Sequence, residues 1–204
     1  MFSLSGVSVV MGVSSGGFVI PERSLDAVGK VLLAVNVALI VVLAVVPVLF
    51  YFVLPNVVPT HFGMYGEPTS YGSKLVVLLL VPSFVLPEII LVLVAVYRFK
   101  IVNRYPYLVS FPALSILIGS NRLSPERKAY YVNEITKVVL VTSILVGLHL
   151  LALEIIIGYS MLIGYMIVPA YVTLLSISAI VAVPIVLNRK ILYRKIMREL
   201  QEKQ

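Results

Sequence analysis

Hydrophobic residues in this chain come in long, nearly unbroken runs of Val, Leu and Ile, separated by short polar stretches. A run apolar around its whole circumference suits a helix surrounded by lipid rather than one that lines a soluble core. About 20 such residues cross the hydrocarbon layer, and four segments reach that length: Val31 to Leu54, Leu75 to Tyr97, Val138 to Ile157 and Tyr165 to Leu187. A fifth run, "YLVSFPALSILIG" from Tyr107 to Gly119, is short for a span and carries Pro112 at its middle, which predicts an interfacial or re-entrant segment.

The polar stretches add boundaries. In "SPERKAYYVNEITK", Ser124 suits a helix cap, Pro125 the first helical position and Glu126 the positive end of the dipole. The third helix is therefore expected to begin well before its apolar part and to run about 50 Å from Pro125 to Ile157. Residues 1–27 form an N-terminal segment rich in Ser and Gly, without the basic start of a secretory signal. At the other end, Ile191, Leu192, Met197 and Leu200 recur at near-helical spacing beside a basic face, which suits either an anionic membrane surface or a plain helix end.

Composition strengthens the membrane reading. Hydrophobic residues make up 60% of 204 positions, charged residues 12%, and mean hydropathy is +1.07, a balance foreign to soluble domains. With no cysteine, disulfides, thiolate metal sites and cysteine nucleophiles are excluded. The net charge of +7 reports orientation, because Arg98, Lys100, Arg104, Arg122, Arg127, Lys128 and Lys137 fall between the second and third spans. Arg189, Lys190, Arg194, Lys195, Arg198 and Lys203 fall in the tail. Basic loops stay inside, so residues 98–137 and 188–204 are expected in the cytoplasm and residues 55–74 outside. If Tyr107 to Gly119 spanned, the tract from Arg122 to Lys137 would move outward, against that rule. The expected fold is one all-α membrane domain over 1–204, with four transmembrane helices, both termini cytoplasmic, and a third helix extended into the cytoplasm.

Ionisable groups inside the bilayer cost about 2.5–3.5 kcal/mol at mid-helix and should face protein or water. Glu88, His149 and Glu154 are the candidates. Glu88 follows Pro87, with Pro82 five residues earlier, so a kinked helix beside an acid is expected, serving as an ion or proton site or as a protonated, hydrogen-bonded carboxyl. Ser143, Gly147, Glu154 and Gly158 share one stripe of the third helix, whose small residues admit a neighbour. His149 stands about 140° around the helix from Glu154, so a local His and Glu pair is not expected, and His149 reads as a packing residue near Thr142.

The stretch "LPNVVPTHFGMYGEPTSYGSK" is chemically the most varied in the chain. Its Pro55 and Pro59, then His61 and Phe62, then Gly66, Glu67 and Pro68, and finally Gly72 and Lys74 resemble the membrane domain of unknown function at the N-terminus of SdpI-like immunity proteins. The resemblance covers residues 35–100. It departs at Gly63, where a polar residue often follows the His-aromatic pair, and it does not extend over residues 105–204. It implies a multi-pass protein tied to resistance against secreted peptide toxins or to membrane signalling. Read physically, the prolines and glycines predict a compact outer loop, with His61, Glu67 and Lys74 forming a small polar site that Glu154 joins from the third helix.

Three functions compete. The first is an immunity or sensing module of the cell membrane, with an extracellular peptide or a cytoplasmic regulator as partner. The second is a small homo-oligomeric transporter using Glu88. The third is a zinc-dependent membrane enzyme, for which one histidine and two carboxylates make a thin ligand set. No cofactor, metal, catalytic role or nucleic-acid partner is expected beyond these, and the bilayer itself is the surrounding partner.

Overall fold

The computed structural model describes residues 19–105, 123–166, 186 and 192–202. The first 18 residues, Tyr107 to Gly119 and almost all of the fourth predicted span, Tyr165 to Leu187, lie outside the described residues. Within them, three helical segments are long and apolar enough to cross a membrane: Ala27–Val53, Lys74–Val96 and Pro125–Ile163. The protein is thus a predominantly helical, multi-pass membrane protein.

Helix α1 covers Ala27–Val53, starting four residues before the expected Val31. Asp26 sets that start, because its Oδ1 accepts the Gly29 N–H at 2.8 Å and satisfies one donor of the first turn. Pro47 sits inside the helix, which continues through it.

The loop expected after α1 is instead an antiparallel hairpin, which corrects the all-α reading. Strand β1, Val57–Phe62, pairs with β2, Pro68–Ser73. Val57 stands opposite Ser73, Pro59 opposite Tyr71 and His61 opposite Ser70, with irregularities on either side of His61. A lone hairpin is marginal in water, and this one is held by an apolar anchor: Val58, fully buried, packs with Leu54, Val77 and Met161.

The second span is likewise two pieces. A 3-10 helix over Lys74–Leu79 opens with Ser73 accepting the Leu75 N–H, and α2 follows over Leu80–Val96. Pro82 falls in the first turn of α2, next to its junction with the 3-10 helix. Pro87 lies on the exposed side and the helix passes through it.

After the short α3, Arg98–Arg104, comes α4, Pro125–Ile163, a single helix of 39 residues. Its start is the expected one: Ser124 caps by accepting the Arg127 N–H, with Pro125 first. Its end lies beyond Ile157, where Gly164 adopts a left-handed conformation. Helix α5, Arg194–Gln201, buries Ile196, with Leu192 just before it, in a core with Ile20, Phe99, Val102, Tyr131 and Val132. Of the tail's apolar positions, Leu192 is buried in this core and Leu200 packs against it, while Ile191 lies outside the described residues. Helices α1, α2 and α4 pack together through the middle on Leu39, Leu43 and Val85.

Candidate functional site

The hairpin gathers every residue of the Pro-His-Glu-Lys stretch into one small unit, but it does not gather His61, Glu67 and Lys74 into one polar site. His61 is exposed and its Nδ1 hydrogen-bonds across the strands with the Ser70 hydroxyl at 2.7 Å, close to the Thr60 hydroxyl at 3.3 Å. Phe62 pairs opposite Pro68 at the end of the ladder. Glu67 folds back on the turn: its carbonyl accepts the Gly63 N–H at 2.7 Å and its Oε2 accepts the Tyr65 N–H at 3.2 Å. A Cβ at Gly63 would stand 2.0 Å from Glu67 Oε1, so the departure at position 63 makes room for that carboxylate. Lys74 reaches back to α1, donating to the Leu54 carbonyl at 3.3 Å and lying 4.8 Å above the Tyr51 ring. Pro55 begins the extended connection and Pro59 is buried in β1, while Gly72 faces Thr60.

Gly66 fixes the turn and its docking. Its φ of +95° is open mainly to glycine. A side chain there would also meet the Met166 carbonyl, 2.6 Å from the Cβ position. The Gly66 carbonyl accepts the Met166 N–H at 2.8 Å, and the Tyr165 hydroxyl donates to the Tyr65 carbonyl. The hairpin turn is thus pinned to the chain leaving α4. Met64 and Tyr65 project from the turn at 75% and 81% exposure, an apolar tip beside the His61 and Ser70 pair.

Glu154 does not join the hairpin. It is fully buried on α4, and both of its carboxyl oxygens lack a partner among the described residues. The small-residue stripe is otherwise as the spacing implied: Ser143, Gly147, Glu154 and Gly158 are all buried, with Phe50 of α1 against Gly158. Glu88 meets this stripe, its Oε1 accepting the Ser143 hydroxyl at 2.6 Å. Asn36, a residue that sequence reasoning passed over, donates from Nδ2 to the carbonyls of Leu140 at 3.1 Å and Leu32 at 2.7 Å. Its only sequence signal was a lone amide in an apolar run. His149 is half-buried and its Nε2 has no partner among the described residues. No group of three or more His, Asp or Glu among the described residues is arranged to hold a metal ion.

At the far end of α4 the contacts are polar and ordered. Arg127 grips Glu199 of α5 with two nitrogens at 2.8 Å, and the Tyr131 hydroxyl donates to the same carboxylate. Arg98 donates to Asn133 Oδ1 at 2.7 Å and to the Arg23 carbonyl at 2.7 Å. Asp26, the cap of α1, pairs with Lys137 at 2.9 Å. The Gly29 N–H, and then Lys137, hold its carboxyl below the ordinary carboxylate range.

Residues 38–86 match the family described as a domain of unknown function, DUF1648. A protein of Archaeoglobus fulgidus, described as uncharacterized, is 33% identical over 160 residues, covering 78% of this chain and 86% of the relative. No solved structure matches the chain.

Proposed function

The chain belongs to the family of the DUF1648 domain of unknown function, and on that premise we propose that it is a cell-membrane module that senses, or gives immunity to, a secreted peptide bound at the β1–β2 hairpin. One observation carries the reading: α4 is unbroken from the hairpin, where Met166 bonds Gly66, to the basic end, where Arg127 and Tyr131 bond Glu199 of α5. At 1.5 Å per residue its 39 residues measure about 58 Å, against about 30 Å of hydrocarbon. A continuous helix of that length joins a binding element on one face to a charged assembly on the other, as a receptor requires.

The bias of Lys and Arg toward residues 98–137 and the tail supports a cytoplasmic position for that assembly and an outer position for the hairpin. On this reading Tyr165 to Leu187 serves as a fourth span and both termini are inside. The tip offers a peptide the large apolar surfaces of Met64 and Tyr65 and the hydrogen-bonding edge of His61 and Ser70. Aromatic residues of this kind dominate recognition surfaces.

The test is survival of a sensitive host expressing the wild type, Tyr65→Ala or His61→Ala during challenge with a panel of secreted antimicrobial peptides. Protection by the wild type, lost in the Tyr65→Ala variant, is expected against at least one peptide. Equal protection by all three proteins contradicts recognition at the hairpin, and no protection by any contradicts immunity.

A further inference from the structure

Between α1, α2 and α4 lies a carboxyl for which the peptide-sensing reading has no use. Glu88 is 0% exposed; its Oε1 accepts the Ser143 hydroxyl at 2.6 Å, and its Oε2 has no partner among the described residues. Asn36, equally buried, spends Nδ2 on the Leu32 and Leu140 carbonyls and leaves Oδ1 unpartnered. Leu140 and Ser143 are one turn apart on the same face of α4, so Asn36 and Glu88 meet that helix at adjacent levels. One turn further, a Cβ at Gly147 would stand 3.2 Å from Glu88 Cδ and 2.3 Å from Leu39 Cδ2. Side chains of α1 and α2 thus meet α4 at the carboxyl.

Nothing described there balances a negative charge. The facing groups are Asn36 and Leu39 from α1, and Ser143 and Gly147 from α4. None of these titrates. His149 is about 160° around α4 from Gly147, and Glu154 is about 16 Å further along the helix from Ser143. Lys74 is engaged by the Leu54 carbonyl and Lys137 by Asp26. An ionised Glu88 would therefore keep one hydrogen bond and no counter-charge among the described residues. A bound metal would need roughly four ligands for zinc or six to eight oxygens for calcium, more than Glu88, Asn36 and Ser143 offer. A proton needs only one oxygen, and it turns the orphaned acceptor into a donor.

We infer that Glu88 is a proton-binding site, occupied while α2 is packed on α4 and emptied to water when the two helices part. On release the Oε2–H bond breaks, the electron pair stays on Oε2, and the proton passes to water entering between the helices, which then solvates the carboxylate. Rebinding reverses each step. The packing of α2 on α4 is thereby under proton control, independently of whether the hairpin binds a peptide.

Infrared spectra of the full chain in lipid nanodiscs, with carbon-13 glutamate, test the site. In a Glu154→Gln background, a protonated-carboxyl carbonyl band is expected at neutral pH. It is lost on adding Glu88→Gln and moves to higher frequency on adding Ser143→Ala, because the Ser143 hydrogen bond is gone. Carboxylate bands from Glu88 at neutral pH, or a band indifferent to Ser143→Ala, would overturn it. The coupling has its own readout, since the chain has no cysteine: spin labels at Leu86→Cys and Leu148→Cys, both exposed positions. Their separation is expected to widen on alkalinisation and to stay fixed when Glu88→Gln is present; identical behaviour with and without Glu88→Gln overturns the coupling.

Discussion

Gly147 shows how much a single position governs the packing of the helices. Its missing Cβ is the space that Leu39 and Glu88 fill, and Gly147→Val forces both aside. Overpacking of this kind costs about 1–3 kcal/mol, so a lower unfolding temperature in detergent is expected, with a smaller loss for Gly147→Ala because the tip of Leu39 can rotate. Asn36→Leu is expected to change stability by less than about 1 kcal/mol in the same assay, since two hydrogen bonds vanish together with an unpartnered oxygen. The stripe of Ser143, Gly147, Glu154 and Gly158 was legible in the sequence, because helical phase alone places those residues on one face. That Asn36 and Glu88 are what meet it was not, because the rotation of α1 and α2 against α4 is set by packing that no single helix encodes.

At the scale of elements, helix starts were readable and the hairpin was not. Ser124 and Asp26 cap α4 and α1 by short-range chemistry, although Asp26 lies outside the apolar run and was not part of the expected span. The hairpin was masked by its prolines and glycines, which read as loop residues. Its strands exist because Val58 finds a pocket among Leu54, Val77 and Met161, a contact supplied by three other elements. Gly66→Ala is expected to detach the hairpin, since both its φ and its space are taken; faster proteolysis between Phe62 and Pro68 than in the wild type would show it. The Asp26 cap carries a pH signature. Its carboxyl titrates below the ordinary range because the Gly29 N–H and Lys137 favour the charged form, so its contribution is complete above the unfolded-state value and fades as pH falls through the lowered one. Asp26→Ala is therefore expected to speed amide exchange in the first turn of α1 at neutral pH, and that difference should shrink on acidification.

For the molecule as a whole, the apolar runs announced a multi-pass membrane protein, and three helices of spanning length bear that out. The basic stretches announced a sidedness, and α4 has two distinct ends: at the charged one Ile20, α3, the start of α4 and α5 share a core, while the hairpin occupies the other. The central claim is that this helix connects an outer recognition element to an inner assembly. Single-cysteine labelling of intact cells tests it most directly, because the native chain has no cysteine to interfere. A membrane-impermeant maleimide is expected to label Tyr65→Cys at the hairpin tip without treatment and Glu202→Cys beyond α5 only after the cells are permeabilised. Labelling of both positions in intact cells, or of Glu202→Cys alone, would contradict the account.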